Sequence, residues 1–239
     1  IQLFKNSWYT QSFVYSIFVG FCSALLSVAI GTAMGYWLWR LPLSLQKPAI
    51  VYKIPLVLPH LAVAFLTLIF FSRSGLVSSF ANKLGLTTLQ SEFPRILFGG
   101  NGLGLIIAYT YKEIPFVILM TLSVYKRIDE RLIVSAVMLG AKRITVFRRI
   151  VLPFVLPVMS TSFIILFLYA FGGFDIPFLL SESRPQMVSI FVYNTYFKRD
   201  LVRRPEAMAA LVIMFIFAVV FIAIYSRIVS TLGEKRRLP

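Results

Sequence analysis

The chain has 239 residues, of which 59% are hydrophobic and only 14% are charged, whereas about 25% of the residues in ordinary soluble domains are charged. This composition places the chain among membrane proteins and excludes an ordinary soluble domain. The formal net charge of +15 would indicate nucleic acid binding in a soluble protein. Here the basic residues lie between long apolar stretches, so we expect membrane lipid, and no nucleic acid, as a partner. The single cysteine, Cys22, excludes an internal disulfide.

Five apolar stretches reach the length of about 20 residues that a helix needs to cross a bilayer core. The predicted spans are approximately residues 12–39, 49–71, 103–124, 151–174 and 207–228. The first ends in aromatic and basic residues typical of a membrane interface. The second contains Pro55 and Pro59, which we expect to kink it. No soluble domain interrupts the spans, so residues 1–239 are predicted to form a single all-α membrane domain.

The positions of the Lys and Arg residues predict an orientation. They are concentrated after the first, third and fifth spans, so the positive-inside rule makes residues 126–150 and the C-terminus cytoplasmic in a multi-pass protein of the inner or plasma membrane. Residues 181–205 also carry basic side chains, yet this topology places them outside. Because the N-terminus is then outside and shows no signal peptide, we expect a further span before Ile1.

Residues 126–150, here called the basic segment, have the pattern of a short amphipathic helix followed by a turn. Asp129 can cap the helix and interact favourably with its dipole. Leu132, Ala136 and Leu139 recur at helical spacing and are predicted to form its apolar face. Gly140 permits the left-handed turn that ends such a helix. Composition alone favours a helix that rests on the membrane surface.

The basic segment and the start of the next span resemble the coupling motif of type I ABC importer permeases. That motif has Glu-Ala-Ala, three residues, Gly, nine residues, Ile, one residue and Leu-Pro. The corresponding positions are Val134, Ser135, Ala136, Gly140, Ile150, Leu152 and Pro153. Five of them match and Ser135 is a small-for-small change, but Val134 lacks the acidic side chain. In that family the helix docks in a groove on an ATPase subunit, so the resemblance implies that these residues couple the chain to such a partner.

Other stretches support the same resemblance over nearly the whole chain. IPLVLPHLAVAFLTLIFFSRSGLVSSFANKLGL and AYTYKEIPFVILM are similar to the family's second and third core spans. FGGFDIPFLL, followed by PEAMAAL, is closest to the branch that imports polyamines, ferric iron, thiamine or phosphonates. The implied fold is a five-span type I ABC importer permease core with a cytoplasmic coupling helix between spans three and four.

The resemblance also implies the partners and the activity. Two permease subunits form the pathway, two ATP-binding cassette subunits lie beneath them, and an extracytoplasmic solute-binding protein delivers the substrate. ATP and Mg²⁺ bind to the ATPase, so this chain is expected to hold no cofactor and to be no enzyme; it contains no GxxxxGK[ST] sequence. Since Val134 lacks the motif's acid, we expect the second permease to be non-identical and to carry the Glu.

Two acidic residues lie in or beside the predicted spans. Glu113 is near the middle of the third span, where a charge costs at least about 2.5–3.5 kcal/mol. It either lines the substrate path or forms an internal pair that holds neighbouring spans. Asp175 follows two glycines at the end of the fourth span, where it either belongs to an outer gate or begins an ordinary helix.

Alternative interpretations remain at this point. His60 has no second ligand in view, so no metal site is predicted. A sugar-importing ABC permease is the second choice for function. A channel or receptor module whose basic segment binds anionic lipid is the third.

Overall fold

The protein is described by a computed structural model that covers residues 7–46, 48–87, 92–198 and 201–234. Those residues form helices and connecting turns, with no strand among them. Five helical stretches in this part of the chain are long and apolar enough to cross a membrane: Ser7–Arg40, His60–Lys83, Leu103–Tyr125, Arg143–Gly172 and Leu201–Val229. The predicted all-α fold with five membrane spans is confirmed.

Twelve α-helices are described, numbered here in chain order. They are α1 (Ser7–Arg40), α2 (Leu43–Gln46), α3 (Ile54–Val57), α4 (His60–Phe71), α5 (Leu76–Lys83), α6 (Leu103–Tyr125), α7 (Glu130–Met138), α8 (Arg143–Val146), α9 (Leu152–Gly172), α10 (Asp175–Leu180), α11 (Val188–Tyr193) and α12 (Arg204–Glu234). Short 3₁₀ turns precede α3 and α12, and π-helical turns precede α9 and follow α11.

The centre of the bundle is the contact between α1 and α6, and small residues on α1 make it close. A β-carbon at Gly31 would lie 2.6 Å from Cβ of Val117, and one at Gly35 would lie 2.5 Å from Oγ1 of Thr121. Glycines four residues apart let two membrane helices approach closely, which gains van der Waals contact where lipid offers no hydrophobic driving force. Helix α9 packs against the same pair.

Helix α12 lies at the periphery of the bundle. It contacts the other helices through Ala207, Ala210 and Phe217, while most of its remaining apolar side chains are exposed. A helix that is apolar on all sides yet poorly covered by its own chain suits contact with lipid or another membrane subunit.

The second predicted span, residues 49–71, does not form one helix. A 3₁₀ turn and the four-residue α3 come first, Leu58 and Pro59 are extended with ψ of 135° and 146°, and α4 begins only at His60. The break follows from Pro59, which lacks an N–H and disfavours a helical conformation at the residue before it. The membrane-spanning stretch therefore starts at His60 and continues to Lys83, later than predicted, and the expected kink is a complete interruption.

Lys112 on α6 stabilises this interruption. Its ammonium donates hydrogen bonds of 2.9 Å to the carbonyl oxygens of Pro55 and Leu56 and a further one to the carbonyl oxygen of Leu58. The side chain is only 7% exposed. The end of a helix leaves carbonyl groups without partners and carries a partial negative charge. One lysine ammonium supplies three hydrogen-bond donors and a positive charge. It therefore provides hydrogen-bond partners for the carbonyl groups at the end of α3 inside the bundle.

We expect Lys112→Met to destabilise the folded chain by about 2 kcal/mol or more, because it leaves three buried carbonyls without a donor. The measurement is the free energy of unfolding in mixed micelles. Lys126→Met is the matched control, since Lys126 is exposed at the end of the same helix, and it should stay within about 0.5 kcal/mol of the wild type. Equal stability of both variants would contradict the role of Lys112.

Candidate functional site

The basic segment contains a short helix whose beginning is fixed by its own sequence. Asp129 caps α7, because its carboxylate accepts a hydrogen bond of 2.9 Å from the backbone N–H of Arg131. Glu130 follows in the first turn, where an acidic side chain interacts favourably with the helix dipole. The predicted cap at Asp129 is therefore present.

The end of α7 is fixed by Gly140. Its φ is +83°, a left-handed conformation that costs other residues about 1–2 kcal/mol. The N–H of Gly140 donates to the carbonyl of Val137 at 2.9 Å, and that of Ala141 donates to the carbonyl of Ala136 at 3.0 Å. These two bonds form a Schellman motif, so the predicted left-handed turn is present. A β-carbon at Gly140 would meet no atom within 4 Å among the residues that the structure describes.

The face of α7 that packs against the bundle differs from the predicted one. Ile133 is buried and Ala136 is partly buried in the same apolar cluster, whereas Leu132 and Leu139 of the predicted apolar face are exposed. The predicted stripe is wrong by about one residue around the helix, because Ile133 is the side chain that fills the space beneath α7. The outward surface therefore carries apolar side chains.

This outward surface, here called the α7 surface, consists of Leu132, Val134, Val137, Met138 and Leu139. Met138 and Leu139 are 82% and 88% exposed. Exposed apolar groups that lie together mark a site for a partner or for lipid. The remaining motif positions lie nearby: Ser135 and Pro153 are exposed, and Ile150 and Leu152 are partly buried.

Aromatic side chains connect the basic segment to the transmembrane helices. The rings of Trp39 on α1 and Tyr125 on α6 stack at 5.5 Å, and Tyr36 contacts Phe147 of the basic segment at 5.2 Å. The Tyr125 hydroxyl donates to the carbonyl of Thr32 at 3.2 Å. We call these four rings, of Tyr36, Trp39, Tyr125 and Phe147, the aromatic junction. It connects the ends of α1 and α6 to the turn that precedes α9.

Glu113 lies between α6 and α1. Its side chain is 2% exposed, and Oε2 accepts a hydrogen bond of 2.9 Å from the Ser27 hydroxyl. That hydroxyl also lies 2.7 Å from the carbonyl of Ser23, so its one hydrogen is shared between two acceptors. Oε1 has no hydrogen-bond partner in the described part of the chain. The contact with α1 favours a role in holding two helices over a place on an open path.

A second interruption separates α9 from α10. Helix α9 ends at Gly172, Gly173 is extended with ψ of 142°, and α10 starts at Asp175. A β-carbon at Gly173 would collide with the Tyr109 hydroxyl, which explains why glycine is needed where the chain passes α6. That hydroxyl is buried and has no hydrogen-bond partner among the described residues.

The two interruptions bring His60 and Asp175 together. Nδ1 of His60 lies 3.8 Å from Oδ2 of Asp175, and the His60 ring is 5.4 Å from that of Tyr169. The Asp175 side chain is 61% exposed. Sequence analysis missed this pair, although His60 directly follows Pro59 and Asp175 lies two residues after Gly173, each in an apolar stretch. Within the described ranges no group of three or more His, Cys, Asp and Glu side chains could hold a metal ion.

Comparison with known proteins identifies the class to which this arrangement is similar. The profile of a family described as "Binding-protein-dependent transport system inner membrane component" matches residues 27–237. The molybdenum transport system permease protein ModB of Azotobacter vinelandii is 27% identical, over 85% of this chain and 87% of its own length. A probable sulfate permease, cysT of Chlorella vulgaris, is 23% identical over 92% of this chain and 85% of its own length.

Other relatives are longer than this chain. The putative ferric transport system permease protein FbpB 1 of Haemophilus influenzae is 25% identical over 77% of this chain, which matches only 28% of the relative. The inner membrane ABC transporter permease protein YdcU of Escherichia coli is 26% identical over 77% of this chain and 58% of its own length.

Solved structures share the fold at lower identity. A chain of the bacterial alginate ABC transporter, crystallised with an alginate-bound periplasmic protein, superposes with a TM-score of 0.83 at 19% identity and covers 97% of this chain and 82% of that one. A chain of the MetNI methionine ABC transporter gives 0.66 at 16% identity, over 93% and 94% of the two chains.

We expect Ser27→Ala to cost about 1–3 kcal/mol of stability, because it leaves a buried carboxyl group without its partner. In a Glu113→Leu background the same change should cost at least about 1 kcal/mol less, which a double-mutant cycle in micelles measures. Ser226→Ala is the control, since that exposed hydroxyl bonds only to its own helix. Equal costs of Ser27→Ala in both backgrounds would show that the pair does not hold α1 to α6.

Proposed function

Because the chain belongs to the family of binding-protein-dependent transport system inner membrane components, the permeases of ABC importers, we propose that it lines the solute pathway of an ATP-driven importer and couples to an ATPase through the α7 surface. It is a transport subunit and not an enzyme. Hydrolysis of ATP, with its Mg²⁺, belongs to the partner subunits.

The observation that carries this proposal is the α7 surface itself. The nine-residue helix α7 is capped at both ends and anchored by Ile133, yet four of its apolar side chains, and that of Leu139 directly after it, are exposed. A chain gains nothing by fixing such a helix so firmly while leaving its apolar side uncovered, unless another surface covers it. The residues at the coupling positions, Val134, Ser135 and Gly140, are on the exposed side.

The coupling mechanism follows from the contacts beneath α7. When the ATPase subunits close around ATP, they displace α7, and the aromatic junction transmits the movement to α1 and α6. Because the α1–α6 contact is too tight to shear easily, the helices tilt as a unit and the pathway opens outward. Hydrolysis and release then return the chain to the inward-open state. In this account the basic segment and the C-terminus are cytoplasmic, as the positive-inside rule predicts.

The partners in this proposal are two ATP-binding cassette subunits, a second permease and an extracytoplasmic solute-binding protein. The structural similarity to a transporter crystallised with a periplasmic protein supports the last of these. The second permease is non-identical and carries the acidic residue absent at Val134. Helix α12, which is largely uncovered by its own chain, remains available for lipid or this second subunit.

The substrate in this proposal is a small solute of the polyamine, ferric iron or phosphonate group. FGGFDIPFLL supports that branch, and a ferric permease is among the relatives. Relatives that transport molybdenum and sulfate make small inorganic anions the competing class. A sugar is a further candidate, because the alginate transporter shares the fold.

The main alternative from another class is a membrane module whose basic segment binds anionic lipid. The exposed Arg148 and Arg149 near α7 favour such contacts. Co-purification separates the two functions, because a permease retains an ATPase subunit in detergent whereas a lipid-binding module does not.

The coupling proposal predicts that Gly140→Leu lowers the affinity for the ATPase subunit, and the ATPase activity of the reconstituted complex, by about tenfold or more. A β-carbon at this position meets no atom of the described residues within 4 Å, so in this proposal the new side chain projects into the space that the partner occupies. Binding is measured by titration of the ATPase subunit onto the permease in nanodiscs.

Gly85→Leu is the matched control for this experiment. Gly85 has a φ of +73° and equally open surroundings, and it ends α5 with the same pair of hydrogen bonds. Both variants therefore carry the same backbone cost of about 1–2 kcal/mol, but only Gly140 lies beside the α7 surface. If both variants, or neither, lose coupling, α7 is not the contact with the ATPase.

A further inference from the structure

We propose that the two helix interruptions together form a binding site for a small cationic solute, with Asp175 as its anionic group and His60 and Tyr169 beside it. This inference rests on the proposed transport function and assigns the charge of the substrate. The site lies where α3 gives way to α4 and α9 gives way to α10.

Both interruptions lie within the apolar bundle. Lys112 contacts the first through the carbonyl of Leu58, and Tyr109 lies against the second at Gly173. Tyr109 and Lys112 belong to the interior of α6, which spans Leu103–Tyr125. Irregular backbone at membrane depth is tolerated only where it is buried in protein or lines a water-filled cavity. The Asp175 side chain is 61% exposed, so its carboxylate is accessible at the second interruption.

The two interruptions differ in their electrostatics. The end of α3 has a built-in cation, because the Lys112 ammonium is bonded to three of its carbonyls. The end of α9 has no hydrogen bond to a lysine or arginine side chain in the described part of the chain, and the carboxylate of Asp175 follows it. The carbonyl end of a membrane helix and a carboxylate both favour a positive charge. Asp175 also lies in the first turn of α10, which favours the charged carboxylate, so the second interruption offers a cation an exposed anionic group.

The neighbouring charged groups do not reverse this sign. The buried Lys112 ammonium is hydrogen-bonded to carbonyl groups of α3, and the Glu113 carboxylate accepts a hydrogen bond from Ser27 on α1. His60 is the one basic group recorded near the Asp175 carboxylate within the described ranges, at 3.8 Å. An oxyanion would have to approach an exposed carboxylate with only this imidazole to offset it, so anions are disfavoured.

The aromatic surroundings also suit a cation. The Tyr169 ring is partly exposed and lies beside His60, and the face of an aromatic ring attracts positive charge. Tyr109 adds a buried hydroxyl without a partner in the described structure, 6.1 Å from Tyr169 between ring centroids. A carboxylate, an imidazole and phenol groups can receive either a protonated amine or a hard metal cation such as ferric iron.

The test is equilibrium binding to the complete complex of permeases and ATPase subunits in nanodiscs, without the solute-binding protein. The probes are radiolabelled spermidine, ferric iron, molybdate and sulfate. Binding of spermidine or ferric iron is expected, and Asp175→Asn should weaken it by at least about tenfold because a charged contact is lost. His60→Leu separates the two cations: it weakens ferric iron binding, which loses a ligand, and leaves spermidine binding nearly unchanged.

Glu206→Gln is the matched control, since it removes another partly exposed carboxylate, paired with Arg203 at the start of α12, and should leave binding unchanged. Binding of molybdate or sulfate, absence of cation binding, or cation binding that Asp175→Asn leaves intact would overturn the inference. The transport function itself is judged separately, by retention of the ATPase subunit in the wild-type complex, so an anion importer would refute the site and leave that function standing.

Discussion

Helices α1 and α6 approach so closely that a β-carbon at Gly31 or Gly35 would overlap a side chain of α6. Every other feature of the bundle is positioned from this contact. It places Lys112 against the broken second span, Glu113 against Ser27, and Tyr125 against the carbonyl of Thr32. In a membrane, where burial of apolar groups between helices gains little over contact with lipid, close packing and buried hydrogen bonds supply the stability.

The same contact joins the two ends of the proposed mechanism. At one end Tyr125 belongs to the aromatic junction under α7, and in the interior of the same helix Lys112 and Tyr109 face the two interruptions. In the proposed mechanism, movement of α7 reaches the proposed cation site through α6, which runs from Leu103 to Tyr125. Lys112 fixes the first interruption, whereas the polar contact recorded between the two, within the described residues, is the 3.8 Å approach of His60 to Asp175. A substrate that binds Asp175 competes with that weak contact, which links occupancy of the site to the relative position of α4 and α10.

Much of this architecture is predictable from local sequence. The number of membrane spans, five, follows from hydropathy. The cap at Asp129 and the turn at Gly140 follow from residue types whose conformational preferences act within a few positions. The complete break at Pro59 was underestimated as a kink, because its stabilising partner, Lys112, is more than fifty residues away along the chain. The buried face of α7 was misplaced for a similar reason. Helical spacing identifies apolar positions, but the space beneath the helix decided that Ile133 fills it.

Polar residues close to a helix break can indicate a functional site, but a prediction of membrane spans from hydropathy does not use them. His60 and Asp175 each follow a breaking residue, and the fold brings both breaks to the level of residues 109–112 on α6. No rule based on sequence spacing connects His60 with Asp175, since they are 115 positions apart in the sequence. Their proximity results from the packing of α10 against α4.

The central claim is that α7 contacts an ATPase subunit through its exposed apolar side, and cysteine cross-linking tests it most directly. In a Cys22→Ser background, Met138→Cys should cross-link to the co-purified ATPase subunit, with a yield that changes when ATP is added. Leu84→Cys, equally placed at the end of the exposed α5, should give no such product. Absence of the cross-link at position 138, or an equal cross-link at position 84, would contradict the account.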